Sequence, residues 1–265
     1  MELTFPTQLD RLKNGVMAQS EILARVASIY ADALENGGLV HVYANGHSRL
    51  TVEEMVVRMG ALTGFHPLLN NGLANFTDVV GVNGVRVNQA IEKVEGLGEV
   101  ILDEYDIGAH DALVVVSATG TTAAAVDMAL AFQRRYPDHP LIALCSLEQA
   151  RDAPPKHSSG KNLYHVIQES KNGLFLDNCM PYGDLSLTIV GNTDTYHLCP
   201  LSSIGALILV QSLNELTIRE LDRRGVRHHV LRNMHLEDTQ DSFEMWIRDQ
   251  RQRYGRALDN QSIAS

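Results

Sequence analysis

Leu39-Val40-His41-Val42-Tyr43-Ala44-Asn45-Gly46-His47-Ser48 and Ala112-Leu113-Val114-Val115-Val116-Ser117-Ala118-Thr119-Gly120-Thr121-Thr122 decide the fold of this chain. Each stretch opens with a short, largely apolar run that reads as a buried parallel strand. Each then passes through small and hydroxyl-bearing residues into a run with helical spacing. The first turn of a helix leaves backbone N–H groups unpaired and carries partial positive charge, which suits an anion. Glycine lets the backbone approach a ligand, and Ser or Thr hydroxyls add donors. Two such turns suggest a phosphate held from two sides.

Working outward, residues 9–34 carry apolar positions at helical spacing, with Ile22, Val26 and Ile29 on one face, and stop at Gly37-Gly38. A helix is predicted over 49–59, with Val52, Met55, Val56 and Met59 as its core stripe and Gly60 as its cap. Residues 64–84 are rich in Gly, Asn and Pro and read as loops around a second strand near 67–69. A helix follows over 87–94, and 100–102 reads as a short strand or a helix end. After the second turn the pattern predicts a helix over 121–136, a strand over 140–145 and a loop over 151–160. Weaker elements at 163–167 and 173–176 precede a loop over 177–184. A long helix is predicted over 201–221, and a polar tail holds a further helix over 243–254. In that tail Trp246 is a packing residue or an interface anchor. Strands alternating with helices predict a three-layer α/β domain with a mostly parallel sheet, whose ligands sit beyond the carboxyl ends of the strands. The division expected is a helical segment over 1–38, the α/β domain over 39–224 and a helical tail over 225–265.

With 265 residues and 45% hydrophobic content, the chain can bury a full core. A formal net charge of −10 argues against nucleic acid or an anionic membrane as partner. An anionic small ligand remains compatible, because backbone dipoles bind phosphate without net positive charge. Cys145, Cys179 and Cys199 form no C-x-x-C pair, which fits a reducing cytoplasm. The first 13 residues lack the apolar core of a signal peptide, and the run 204–210 is too short to span a bilayer. Without H-E-x-x-H, a Walker loop or G-x-G-x-x-G, neither a metal nor a nucleotide cofactor is expected. Asn75-Phe76-Thr77 matches a glycosylation sequon without secretory context.

At the two turns the chain resembles the SIS (sugar isomerase) family, which carries a G-x-G-x-S-like first loop and an S-x-S-G-x-T second loop. Here they read A-N-G-H-S over 44–48 and S-A-T-G-T-T over 117–122. More narrowly, the stretches VYANGHSRLTVEEMVVRMG (42–60), HSSGKNLY (157–164) and DNCMPYGD (177–184) look like those of small, stand-alone SIS proteins. The resemblance implies a five-stranded, flavodoxin-like parallel sheet, a homodimer or tetramer, and a phosphosugar ligand. By position it implies that Ser48, Ser117, Thr119 and Thr122 hold the phosphate, with Asn45, His47 and Thr121 beside them. Ala44 replaces the family's first glycine and Thr119 its second serine; Thr119 keeps the hydroxyl but restricts χ1.

Aldose–ketose isomerisation through a cis-enediol needs a general base near neutral pH and a group that opens the ring. Glu54 falls opposite the core stripe of its helix and is the candidate base; a surface pair with Arg58, four residues on, is the competing reading. Related SIS isomerases place a catalytic Glu where this chain has Arg58. His157 is the candidate ring-opening group, by resemblance to a late His of SIS enzymes, or else a solvent-facing loop residue, with Lys161 close by. Asp184 is a candidate for sugar hydroxyls or for an Asx turn. The expected activity is that of a phosphosugar isomerase; a non-catalytic sugar-phosphate sensor and an etherase-like phosphosugar lyase are the alternatives.

Overall fold

The computed structural model describes residues 3–70, 73, 85–233, 235 and 240–256. Two helices, α1 (Phe5–Met17) and α2 (Ser20–Glu35), lead into β1 (Val40–Ala44), a 3-10 turn (Gly46–Ser48) and α3 (Arg49–Met55). Then come β2 (Phe65–Leu68), α4 (Val85–Ile91), α5 (Leu97–Asp103), β3 (Ala112–Val116) and α6 (Ala123–Arg135). The chain continues through β4 (Leu141–Cys145), α7 (Leu147–Asp152), α8 (Leu163–Glu169) and β5 (Gly173–Asp177). A hairpin of β6 (Leu185–Val190) and β7 (Thr195–Pro200) follows, then α9 (Ser202–Arg223) and α10 (Gln240–Arg256).

Five parallel strands form one sheet in the order β2-β1-β3-β4-β5. Every residue of β1, β3 and β4 is buried, because helices cover both faces. Side chains alternate between two cores. Val40, Val42 and Ala44 of β1, with Val114 and Val116 of β3, pack against α1, α2, α3 and α9. Tyr43, Leu113 and Val115 face the opposite way, against α5, α6 and α8. Among the described residues no helix is long and apolar enough to cross a membrane.

Several sequence expectations are corrected. Helix α3 ends at Met55, four residues short of Met59, which is largely exposed. Val57 adopts φ +53°, and the chain beyond it is drawn to a late segment: Gly60 N–H donates to Leu231 O at 2.7 Å, and Leu62 bridges Val230. The predicted 151–160 loop begins only after α7, and residues 100–102 lie within α5. Of the 64–84 stretch, 71–72 and 74–84 lie outside the described residues, and the sequon at 75–77 falls among them. The hairpin was not anticipated, although Leu185, Leu187 and Ile189 alternate and Gly191-Asn192-Thr193-Asp194 supplies the turn, with Gly191 N–H on Asp194 O at 2.8 Å.

The tail helix α10 closes the β2 edge of the sheet. Trp246 is buried and donates Nε1–H to Ala61 O at 3.2 Å. Gln250 Oε1 accepts the Gly64 N–H at 2.7 Å, and Tyr254 Oη–H donates to Phe65 O. An open strand edge would offer these groups to another chain, and α10 satisfies them instead.

Beneath that edge lies a buried polar chain. His41 on β1 meets Asp111 Oδ2 through Nε2 at 3.0 Å and His66 Nδ1 through Nδ1 at 3.0 Å. Asp111 also accepts the Leu39 N–H at 2.8 Å and the Gly108 N–H at 2.8 Å. Burial pushes the Asp111 carboxyl up, but the His41 bond and these amides outweigh it and hold the group at about 2.

Two outcomes are expected. Trp246→Ala lowers the unfolding free energy by about 3–5 kcal/mol, read as a fall in the urea midpoint; an unchanged midpoint would show that α10 adds nothing to the edge. Asp111→Asn costs roughly 2 kcal/mol at pH 7. Because the folded-state value is depressed, the wild-type advantage is whole above pH 3.8 and shrinks as pH falls toward 2, so urea titrations across that range should converge.

Candidate functional site

Strands β1 and β3 are neighbours in the sheet, yet their outgoing chains part to opposite faces. Val52 and Met55 of α3 pack in one core, whereas Val126 and Ala129 of α6 pack in the other. This is a topological switch point, where the departing helices leave a crevice beyond the strand ends. The register Ala44↔Val116 sets Asn45 beside Ser117 across the crevice floor. A cavity of about 480 Å³ occupies it.

Both turns need glycine where they bend. Gly46 has φ +53° and Gly120 φ +70°, a region that L side chains rarely enter. A Cβ on Gly120 would also lie 2.7 Å from Cys145 Sγ and 2.8 Å from Ala150 Cβ. The second turn is braced from within and from beside. Ser117 Oγ accepts the Gly120 N–H at 3.0 Å, and Thr119 Oγ1 accepts the Thr121 N–H at 3.3 Å. Asn178 Nδ2–H donates to Ala118 O at 3.1 Å.

Ser48 and Thr122 stand at the N-cap positions of α3 and α6, but neither side chain makes a capping hydrogen bond. The bland explanation for hydroxyls at such places, that they cap a helix, therefore fails at both. Among the described residues, the amides of Ala118, Thr119, Thr122 and Ala123 also take no backbone or side-chain acceptor.

Asn45, 9% exposed, lines the cavity with neither Nδ2 nor Oδ1 in a hydrogen bond of good geometry among the described residues, its nearest polar neighbour being the buried Tyr43 hydroxyl. Asn88, 2% exposed, leaves Oδ1 in the same state. Each such group costs about 1–3 kcal/mol unless a ligand or water satisfies it. Helix α4 delivers Asn88, Gln89 and, just past its end, Glu92 to the wall. It does so while Val87 and Val94 are exposed, an inversion of the usual burial order. Glu92 O accepts the Ala124 N–H at 3.0 Å, docking this helix end on the first turn of α6. Burial raises the Glu92 carboxyl above its ordinary value, and the charges of Lys93 and Lys156 partly oppose that.

The structure brings Asn45, His47, Ser48, Ser117, Thr119, Thr121, Thr122 and Asp184 to one cavity. It does not bring Glu54, His157 or Lys161 there. Glu54 pairs with Arg58 at 2.9 Å and accepts Gln211 Nε2–H at 2.6 Å, because α3 turns that face toward α9. His157 packs away from the cavity between Glu95 and Asp127, and Lys161 pairs with Glu169. Asp184 reaches the wall, but its carboxylate is committed. It accepts the N–H groups of Leu201 at 2.9 Å and Ser202 at 2.7 Å, and Ser202 Oγ–H at 2.6 Å, fixing the start of α9. Glu92, Asn88, Gln89, Gln149, Lys156, Ser202 and Ser203 line the cavity without having been singled out from sequence. The i,i+4 pair Asn88 and Glu92 was the one local signal available; the others arrive from distant segments. Among the described residues no cluster of His, Cys, Asp and Glu is arranged to hold a metal ion.

The profile of the SIS domain matches residues 5–146, more than half of the chain and both turns. A UPF0309 protein of Streptomyces coelicolor is 28% identical over 85% of this chain and 84% of its own length. A UPF0309 protein of Geobacillus thermodenitrificans is 27% identical over 92% of each chain. Among solved structures, phosphoheptose isomerase GmhA from Neisseria gonorrhoeae is similar at 14% identity with a TM-score of 0.49, over 81% of this chain and 95% of that one. With its domain profile spanning both turns, this chain belongs to the SIS domain family.

Proposed function

We propose that the cavity binds a sugar phosphate and that the protein is a phosphosugar isomerase working through a cis-enediol, with Glu92 as the proton-shuttling base. The observation that carries this reading is the pair of uncapped N-cap hydroxyls, Ser48 and Thr122, on opposite walls of one crevice. A tetrahedral anion between them would draw on Ser117, Thr119 and Thr121 as well, each charge-assisted bond contributing roughly 1.5–3 kcal/mol. Asn45 and Asn88 would then meet hydroxyls of the sugar, since a carboxamide offers both donor and acceptor. Among the described residues the lining holds no Phe, Tyr or Trp on which a base could stack, which favours a polyol over a nucleotide. A volume of about 480 Å³ suits a ligand of that size. Family membership supports the same class.

Enediol formation requires Glu92 in its ionised form, and a carboxyl held up by burial is better matched to neutral pH than an exposed one. A binding protein without turnover is the second reading. It is favoured by Glu54 and His157, the two side chains that the family resemblance and helix spacing pointed to, lying outside the cavity.

Wild-type protein is expected to gain thermal stability from a panel of aldose and ketose phosphates, and to exchange the C2 proton of one of them with solvent deuterium. Thr122→Val combined with Ser117→Ala should remove the stabilisation. Glu92→Gln should keep binding within a few-fold and lower exchange by about 100-fold or more. Binding without exchange in the wild type would favour the second reading, and no binding at all would defeat both. The acid limb of kcat/KM should lie above the ordinary glutamate value of 4.5, with activity lost as pH falls through it. Because ionising Glu92 is disfavoured in the folded state, Glu92→Gln should raise the melting temperature at pH 8 and lose that advantage in acid.

A further inference from the structure

The loop between α7 and α8 brings Lys156 to the cavity, while the residues around it are anchored elsewhere. The next residue, His157, has a side chain only 8% exposed. Its Nδ1 accepts the Ser159 N–H at 3.1 Å and lies 2.8 Å from Ser159 Oγ. Its Nε2 is buried, makes no hydrogen bond among the described residues, and faces two carboxylates, Glu95 Oε2 and Asp127 Oδ1, each at 3.8 Å. Ser158 donates its N–H to Glu95 Oε1 at 2.7 Å and its Oγ–H to Oε2. The base of the loop is closed by Asn162 Nδ2–H on Ala153 O at 2.7 Å, and Leu163 N–H holds Gly120 O of the second anion turn at 2.9 Å. After Lys156 the loop is thus tied to Glu95 just ahead of α5, to Asp127 of α6 and to the second turn, before it Ala153 is tied to Asn162, and Lys156 itself lines the wall.

The rest of the lining supplies hydroxyls, carboxamides, His47 and two acidic residues, Glu92 and Asp184. Neutral donors hold a phosphate but discriminate weakly between it and an uncharged group. A chain with a formal net charge of −10 also repels a dianion at long range, so a lysine at the rim matters for its capture. The charges of Lys93 and Lys156 both act on Glu92, and Lys156 shares the cavity lining with it.

We propose that this loop is the charge-reading element of the cavity: Lys156 meets the anionic group of the ligand, and His157, wedged between Glu95 and Asp127, is the positioning residue that holds it there. This rests on the sugar-phosphate reading above. The test is calorimetric titration of wild type, Lys156→Met and His157→Gln with fructose 6-phosphate, inorganic phosphate and uncharged fructose at two salt concentrations. Lys156→Met should weaken both phosphate probes by about tenfold, flatten their salt dependence and leave the fructose response unchanged. His157→Gln should lose the same discrimination by threefold or more. Glu95→Gln, at the other end of the clamp, takes its place if that variant does not fold. If wild type binds neither phosphate probe, the sugar-phosphate reading itself fails and this inference falls with it. If wild type binds them and Lys156→Met binds equally well, only this inference is overturned. A His157→Gln protein with a lower melting temperature but unchanged phosphate-to-fructose discrimination would overturn the positioning role.

Discussion

The molecule depends on the parallel pairing of β1 with β3. Two adjacent strands run the same way and then send their chains to opposite faces, and a cavity of about 480 Å³ lies beyond their ends. Everything of chemical interest gathers there. The positive ends of two helices approach from either side, and the sheet behind them is buried on both faces and cannot relax to close the gap. A crevice of this kind is a consequence of topology; its contents are a matter of which residues are spared from structural duty.

That distinction separates the polar residues of the wall. Asp184 has the chemistry to bind a sugar, yet its carboxylate is spent on three donors at the start of α9. Ser48 and Thr122 sit where a capping bond would be easy and make none. Asn45 and Asn88 are buried with side-chain atoms that make no hydrogen bond of good geometry among the described residues. Unsatisfied groups converging on one volume are a stronger mark of a ligand site than the same residue types arranged in sequence, since each stands for free energy that an occupant would restore.

The same accounting runs in reverse at the opposite edge. The buried Asp111–His41–His66 chain and the α10 contacts to Ala61, Gly64 and Phe65 leave their backbone partners satisfied. Two histidines and a carboxylate close together would look like chemistry in a list of residues. Here they tie β1 and β2 to the segments around Leu39 and Gly108, far in role from the crevice.

The sequence by itself determined the sheet and the two turns. Strands such as Ala112–Val116 are unbroken apolar runs, the usual pattern of a parallel strand buried on both faces. The glycine and hydroxyl pattern at 44–48 and 117–122 is equally local, since it answers to φ and to hydrogen-bond donors within a few residues. The end of α3 was not local: Met59 continues the helical stripe, but pairing of Gly60 and Leu62 with residues 230–231 draws the chain out of the helix. Only the tertiary structure decided which carboxylate faces the cavity. Glu54 and Glu92 read alike as helix-borne acids; the packing of α3 on α9 gives one to Arg58 and Gln211, and the docking of the α4 end on α6 gives the other to the cavity. Lys156 and Ser202 reach that cavity across long separations in sequence, and no periodicity records where two distant segments meet.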